Sequence, residues 1–392
     1  MDVRSLLKVM VEREASDLYL TIDAPPIYRV HGVTEQTEAP PLTNEQLEAL
    51  ALALMRGQQR SEFEEKMEMN LALYYKELGR FRVNIFRQKG NVGLVFRHIK
   101  ADIQTVEQLQ LPPIIKDVAM TKRGLVLVVG ATGSGKSTTL AAMIDHRNTV
   151  HPGHIITVED PIEFVHQHKK SLITQREVGF DTLTFQNALK NTLRQAPDVI
   201  LIGEVRDTET MEAAITFAET GHLCIATLHS NNANQAIERI MNFFPVERHA
   251  QIYLQLSLNL RAVISQRLIP SLDGKRVPAL EIMLDTPRIK DLVKKAEIDT
   301  LKEAMEQGTD EGCQTFDYVL FQLYKANKIS LEQALINADS ANNLRLKIKL
   351  EGLKGDEAVN ALLDKQPGTG PGSDAFKIQG NASGNVTPFR KR

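Results

Sequence analysis

Residues 124–137 read GLVLVVGATGSGKS, an apolar run that leads into a glycine-rich turn with the spacing Gly-x4-Gly-Lys-Ser. The run Leu125 to Val129 predicts a buried strand, and residues 138–145 predict a helix after the turn. A strand that feeds a helix N-terminus through this turn is the expected context of a phosphate-binding P-loop. This stretch therefore predicts a protein that binds a nucleoside triphosphate.

The residue types of the turn suit that chemistry. Gly130, Gly133 and Gly135 let the backbone turn tightly so that its N–H groups point at phosphate oxygens. Lys136 reaches the β- and γ-phosphates, and Ser137 offers a hydroxyl to Mg²⁺, so ATP and Mg²⁺ are the expected cofactors. The residues predicted to contact the nucleotide are Gly130, Ala131, Thr132, Gly133, Ser134, Gly135, Lys136, Ser137 and Thr138.

Length and composition indicate a globular protein of several domains. At about 150 residues per domain, the 392 residues make two or three domains. The net charge of −2 gives no overall positive field that would favour nucleic acid. The sequence shows no signal peptide and no apolar run of about 18 residues, so we expect a soluble, cytoplasmic chain.

Residues 1–98 predict a small α+β domain. Apolar residues at helical spacing open the chain, and alternation with a period of two at residues 18–22, 71–75 and 81–85 predicts an antiparallel sheet. Thr43 and Gln46 predict a capping box for a second helix, and Gly57 is its expected end. Residues 99–123, with Pro112 and Pro113, are interpreted as a linker.

From residue 124 to residue 286 apolar strands alternate with helical segments, the pattern of a mainly parallel α/β sheet. After the P-loop strand the expected strands are 155–158, 199–202, 223–228 and 279–284. Residues 287–350 predict a helical subdomain. Residues 351–392, rich in Gly, Pro, Ser and Asn from Gln366 onward, predict a disordered tail.

Acidic residues follow two of these strands. Glu159, Asp160 and Glu163 come after the second strand, and Glu204 ends the third in a Walker-B-like pattern. Ligands gather at the carboxyl ends of strands in such sheets, and a magnesium triphosphate with a water to be deprotonated would account for the acids. Solvated loop acids are the alternative.

Histidines flank the fourth strand. His222 and His229 are about 23 Å apart along extended chain, so they do not share a metal ion. His229 lies at the ligand end, where it could sense the γ-phosphate, and His222 lies at the far end, where a structural role is at least as plausible. His166 and His168 sit in a polar stretch that indicates exposed surface rather than a metal site.

The last strands of the first domain carry arginines, among them Arg80, Arg82 and Arg97. Arg80 and Arg82 share the face opposite Phe81 and Val83. Two interpretations stay open: solvated charges on an exposed face, or arginines directed at a triphosphate bound by a neighbouring subunit.

Four segments together resemble a known family: GATGSGKST (130–138), ITVEDPIEF (156–164), PDVILIGEVRD (197–207) and TGHLCIATLHSNNA (220–233). The chain resembles the type II/type IV secretion ATPases over roughly residues 1–350, and within them the PilT/PilU branch of pilus retraction ATPases. That resemblance implies a PAS-like N-terminal domain, a RecA-like P-loop ATPase core and a helical C-terminal subdomain. It also implies a hexameric motor for type IV pilus retraction, the basis of twitching motility.

The resemblance also implies residue roles and partners. Glu163 would be the catalytic base, Glu204 would act on Mg²⁺ and the attacking water, and His229 would contact the γ-phosphate. Arg82 and Arg97 match positions presented to a neighbour's nucleotide. The implied partners are further copies of the chain, a PilT-like ATPase and the inner-membrane platform protein of the pilus, at the cytoplasmic face of that membrane.

Departures from the family pattern favour the accessory, PilU-like side of the branch. Pilus assembly ATPases usually carry a four-cysteine zinc motif and an extra N-terminal domain, and we expect neither from residues 1–392. The stretch TPRIKDLVKKAE (286–297) differs from the AIRNLIRE-like helix typical of PilT. A primary PilT-type motor is the alternative. A nucleic-acid translocase is less favoured because of the net charge, and a non-hydrolysing ATP-bound scaffold because of Glu163 and Glu204.

Overall fold

The computed structural model describes residues 2–99 and 102–351, which fold around a six-stranded and a seven-stranded sheet. Each sheet is packed against helices and has its own apolar core. The α/β architecture predicted from the sequence, with a sheet domain before a mainly parallel core, is confirmed. Among the described residues no helix is long and apolar enough to cross a membrane.

The first domain is an antiparallel sheet in the order β3-β2-β1-β6-β5-β4. Its elements are α1 (Val3–Glu12), β1 (Ala15–Leu20), β2 (Ile27–Val30), β3 (Val33–Gln36), α2 (Asn44–Leu54), α3 (Gly57–Lys66), β4 (Glu68–Tyr75), β5 (Gly79–Gln88) and β6 (Asn91–Ile99). The capping box of Thr43 and Gln46 is present at the start of α2. The expectation that Gly57 ends this helix is wrong, because α2 ends at Leu54 and Gly57 begins α3.

The core sheet has the order β13-β12-β7-β11-β10-β8-β9, parallel except for β13. Its elements are α4 (Ile114–Ala119), β7 (Gly124–Val129), α5 (Lys136–Val150), β8 (Gly153–Glu159), β9 (Ser171–Glu177), α6 (Phe185–Thr192), β10 (Val199–Ile202), α7 (Thr208–Glu219), β11 (Leu223–Leu228), α8 (Ala233–Met241), α9 (His249–Asn259), β12 (Leu260–Pro270) and β13 (Arg276–Leu284). Helix α4 lies in the segment interpreted as a linker, and its Ile115 and Val118 are buried against this sheet.

Two strands of the core are additional to those expected from the sequence. β12 begins at the residue after α9 ends, so no turn residue marks the boundary between helix and strand. β9 lies at the edge of the sheet and pairs only with β8 among the described strands, and its burial is only partial. The other strands are predicted from continuous apolar residues bounded by turn residues. The sequences of β9 and β12 lack that pattern.

The chain continues into helices, as expected for residues 287–350. These are α10 (Pro287–Lys294), α11 (Leu301–Gln307), α12 (Phe316–Lys325), α13 (Leu331–Ile336) and α14 (Ala341–Leu350). The helices α12 to α14 bury a separate apolar cluster against Ile269, Val277 and Ala279 of the last two strands. The expected disordered tail lies outside the described residues, apart from Glu351.

The order of the parallel strands brings the predicted functional segments to one edge. In the sheet, β7 lies next to β11, β11 next to β10, and β10 next to β8. Their carboxyl ends pair in register: Val129 with Leu228, and Ile202 with both Ala226 and Val158. The P-loop, the residues after β11, Glu204 and the acidic segment therefore leave the sheet side by side.

Candidate functional site

The P-loop backbone requires glycine at two positions. Gly130 and Gly135 have φ of +152° and +90°. A Cβ on Gly130 would lie 2.5 Å from the Ser134 hydroxyl oxygen, and one on Gly135 would lie 2.7 Å from Nε2 of Gln266. These distances are shorter than carbon tolerates, so the loop closes tightly only with glycine there.

Lys136 is the first residue of α5 and lies inside the loop. Its Nζ donates to the carbonyl oxygens of Gly130 and Ala131 at 2.8 Å and 2.9 Å. Burial lowers the pKa of Lys136, and the negative charge of Glu204 opposes that effect. The ammonium group is thus held at the mouth of the P-loop beside the N-terminus of α5, a position suited to an anion.

Gln266 on β12 braces the P-loop, a role that the sequence did not indicate. Its Oε1 accepts from Thr139 Oγ1 at 2.7 Å, and its side chain is nearly fully buried. The residue lies against both glycines of the loop. The sequence does not predict this role of Gln266, because β12 is not expected from the sequence pattern and the contact with Thr139 joins residues 127 positions apart.

A cleft of about 620 Å³ opens in front of the P-loop. Its lining brings together most of the predicted site residues: Thr132, Gly133, Gly135, Lys136, Ser137, Thr138, Glu163, Glu204, His229 and Arg97. Glu159 and Asp160 line it as well. Ala131 and Gly130 line a neighbouring groove that His229 shares. The grouping expected at the carboxyl ends of the strands is therefore present in the structure.

The three carboxylates of the acidic segment have different surroundings. Glu159 is turned into the protein, where its Oε1 accepts from Thr157 Oγ1 at 2.6 Å and from Gln175 Nε2 at 3.3 Å. Burial raises the pKa of Glu159 to about 7. Glu163 is exposed to the cleft. Asp160 is exposed at the cleft as well, but it lies 3.4 Å from Arg206, whereas the Glu163 carboxylate has no ion pair among the described residues and is free to meet a water or phosphate.

Glu204 lies between two basic side chains. Its Oε1 is 2.9 Å from His229 Nε2, and its Oε2 is 2.6 Å from a terminal nitrogen of Arg206. Arg206 also reaches Asp160 at 3.4 Å. Arg206 thus links the Walker-B-like segment to the acidic segment, and sequence reasoning gave it no role although it lies two residues after Glu204.

Two arginines of the first domain, Arg82 and Arg97, differ in their position relative to the P-loop cleft. Arg97 on β6 lines the P-loop cleft of its own chain, and its Nε donates to the buried Asp17 at 2.8 Å, which raises the pKa of Arg97. Arg82 pairs with Arg97 in the β5–β6 register, but it is not among the described residues that line the cleft. Phe81 and Val83 are fully buried, so the predicted facing of this strand is confirmed.

Arg80 holds the first domain against the acidic segment. Its guanidinium is 2.7 Å from Glu177 on β9, whose side chain is only 4% exposed. The same carboxylate accepts from the backbone N–H of Ile162, next to Glu163, at 3.3 Å. Burial raises the pKa of Glu177, and the charge of Arg80 opposes this rise. The ion pair therefore connects a strand of the first domain to the loop that carries Glu163.

We expect Arg80→Gln to destabilise the protein by about 2 kcal/mol, because it leaves a buried carboxylate without its charge partner. Urea denaturation measures this loss. The control is Arg4→Gln, which removes an ion pair between side chains 60% and 63% exposed and should cost less than about 1 kcal/mol. Equal losses for the two variants would contradict a special contribution of the Arg80–Glu177 pair.

The remaining histidines lie in other surroundings. His222, at the opposite end of β11, has Nδ1 3.1 Å from Thr220 Oγ1 and 3.3 Å from the Phe217 carbonyl oxygen. Burial lowers the pKa of His166 to about 4, and His168 Nδ1 accepts from the Ile173 N–H. The expectation of exposed surface holds for His168 but is wrong for His166, which is only partly exposed because Asn148 of α5 hydrogen-bonds the backbone of Gln167 and Lys169 in the same loop. Within residues 2–99 and 102–351, no three His, Cys, Asp or Glu side chains are grouped to hold a metal ion.

Comparison with known proteins identifies the family. A family model described as type II/IV secretion system protein matches residues 2–344. The type IV pilus ATPase PilU of Pseudomonas aeruginosa is 54% identical over 351 residues, which cover 89% of this chain and 92% of that protein. The type IV pilus retraction ATPase PilT of the same organism is 45% identical, over 88% of this chain and 100% of that protein.

A solved structure agrees with these sequence relatives. The pilus retraction motor PilT with bound ADP superposes with a TM-score of 0.82 at 40% identity, over 87% of this chain and 98% of that chain. The chain belongs to the type II/IV secretion system protein family, in its PilT/PilU branch. It is a nucleotide-binding ATPase of that branch.

Proposed function

We propose that this chain is an ATP-driven motor for the retraction of type IV pili, and that it acts as the accessory, PilU-like member of a retraction pair. The observation that carries the proposal is the meeting of Lys136, Glu163, Glu204 and His229 in one P-loop cleft. The 54% identity to PilU, above the 45% identity to PilT, favours the accessory role.

The residues of the cleft fit ATP with Mg²⁺. The P-loop amides and Lys136 would hold the phosphates, and His229 would contact the γ-phosphate. Ser137 and Glu204 supply the hydroxyl and carboxylate oxygens that Mg²⁺ prefers, and both line the cleft. The metal ion, when bound, would neutralise charge on the phosphates.

Hydrolysis then depends on this chain's own side chains. Glu163 would orient the attacking water and accept its proton, since it is exposed to the cleft and, unlike Asp160, is not paired with Arg206. Arg97 would stabilise charge on the transferring phosphoryl group from the first domain. The position of Arg97 supports action on the nucleotide of its own chain, in place of the neighbour's nucleotide that the family resemblance implies. For Arg82 the neighbouring subunit remains the proposed direction.

The assembly and its location belong to the same proposal. The motor would be a homo-hexamer that works with a PilT-like ATPase and with the platform protein of the pilus. It would lie in the cytoplasm at the inner face of the inner membrane, held there by partners. No nucleic acid is expected to take part.

Pilus retraction in a piliated bacterium tests the proposal. In that bacterium, the genes for this chain and for a PilT-like ATPase are deleted singly and together. Retraction events are then counted by fluorescence microscopy of labelled pili. An accessory motor predicts that this chain, supplied alone to the double deletion, gives no retraction, while supply of both restores the wild-type frequency. Retraction by this chain alone would instead assign it the primary, PilT-type role, and no effect in any background would contradict a retraction function.

A further inference from the structure

The loop that carries His229 is held from behind by the last two strands of the core sheet. Glu281 on β13 is only 2% exposed, and its Oε1 accepts from the backbone N–H of Ala233 at 2.7 Å and from Ser265 Oγ at 3.0 Å. Ala233 begins α8 four residues after His229. Burial raises the pKa of Glu281 to about 7. Burying a carboxyl group this deeply costs free energy unless the group is hydrogen-bonded. The hydrogen bonds of Glu281 anchor the end of the His229 loop.

Arg267 holds the same loop one step closer to His229. It lies two residues after Ser265 on β12, so both side chains project from the same face of the strand. One terminal nitrogen of Arg267 donates to the Asn231 carbonyl oxygen at 3.4 Å and to Asp339 Oδ1 at 2.8 Å. The other donates to the Asn337 carbonyl oxygen. A single guanidinium thus joins the His229 loop to the turn 337–340 between α13 and α14.

That turn is fixed independently of the loop. Asp317 on α12 accepts from the backbone N–H groups of Asp339 and Ser340 at 2.8 Å and 3.2 Å, and Lys302 pairs with Asp317 at 2.7 Å. The Arg267 guanidinium also stacks 3.8 Å from the centre of the Phe316 ring. Because the turn has its own anchors in the C-terminal helices, a movement of those helices would reach the His229 loop through Arg267.

We propose that Ser265, Arg267 and Glu281, here called the β12–β13 brace, position His229 for the nucleotide and couple that position to the C-terminal helices. The three are positioning residues, since none of them lines the P-loop cleft among the described residues. The brace acts on the segment between His229, which contacts Glu204 at 2.9 Å, and the start of α8. This inference rests on the proposed role of His229 at the nucleotide.

Hydrogen–deuterium exchange of the full chain tests the coupling without requiring hydrolysis. Arg267→Lys keeps the charge but loses the planar fork that spans loop and turn. It should speed exchange about tenfold both in residues 229–236 and in the turn 337–340, and leave α5 unchanged. Asp339→Ala removes the side-chain acceptor of Arg267, together with the 4.0 Å pair with Lys302, and should speed exchange in residues 229–236 about threefold. The control is Asp291→Ala, which removes an ion pair with Lys295 between side chains 55% and 56% exposed, and it should change neither segment.

Kinetics with ATP separate positioning from simple stability. Arg267→Lys should lower kcat about tenfold while KM and the affinity for fluorescent ADP stay within about twofold, because the P-loop is untouched. Glu281→Gln keeps an acceptor for Ala233 and should retain more kcat than Glu281→Leu. Faster exchange throughout the chain, or an undisturbed His229 loop in Asp339→Ala, would overturn the inference. A wild-type chain that never hydrolyses ATP would refute the proposed function, while the exchange result would still decide the coupling.

Discussion

Replacing Lys136 by alanine is expected to lower ATP hydrolysis by about a thousandfold or more while leaving the chain folded. Lys136 is the cation at the mouth of the P-loop, and a preorganised charge at a transferring phosphoryl group contributes several kcal/mol to the transition state. The folded state should survive the substitution, because the Nζ donates only to two carbonyl oxygens of the loop. Such bonds contribute about 1–3 kcal/mol each, against a typical total stability of about 5–15 kcal/mol.

The measurement is steady-state phosphate release, with thermal unfolding run in parallel. The control is Lys190→Ala, an exposed lysine on α6 of the same domain, which should hydrolyse ATP at the wild-type rate. Wild-type turnover by Lys136→Ala would reject the site. A collapse of the folded state in that variant would show that the lysine is structural.

Replacing Glu163 by glutamine is expected to separate hydrolysis from binding. The amide is of nearly the same size but does not accept a proton, so hydrolysis should fall by about a hundredfold to ten-thousandfold. Nucleotide affinity should stay within about threefold, because the P-loop and Lys136 supply the contacts to phosphate. Glu163 is exposed to the cleft, so the substitution leaves no buried group unpaired.

Single-turnover hydrolysis and titration with fluorescent ADP measure the two quantities on the same preparation. Glu209→Gln, an exposed glutamate at the start of α7, is the control and should match the wild type in both. If Glu163→Gln loses binding together with hydrolysis, the residue supports the cleft and is not its base. If neither quantity changes, another group activates the water.

Local patterns predicted most of the elements that carry the site. The continuous apolar run of β7, the glycine spacing and the polar residues at strand ends are all features of neighbouring residues. Parallel pairing then places Glu204 and His229 at the same edge of the sheet as the P-loop, as expected. The capping box of α2 was recognisable for the same reason, since its two partners are three residues apart.

The supporting contacts were not predictable from local pattern, because they join residues far apart in the chain. Arg80 and Glu177 are separated by 97 positions, and Thr139 and Gln266 by 127. Gln266 also lies on β12, which follows α9 without a turn residue. Which of the arginines faces the cleft also depends on how the two domains pack. That packing brings Arg97 to the cleft and places Arg80 against the buried carboxylate of Glu177.

Steady-state ATP hydrolysis by the purified chain, with and without single-stranded DNA and with Lys136→Ala as the blank, is the most direct test. For a motor that moves protein we expect hydrolysis that the blank lacks and that DNA leaves unchanged. Hydrolysis that persists in the blank, or that DNA stimulates in a salt-sensitive manner, would contradict a protein-moving motor.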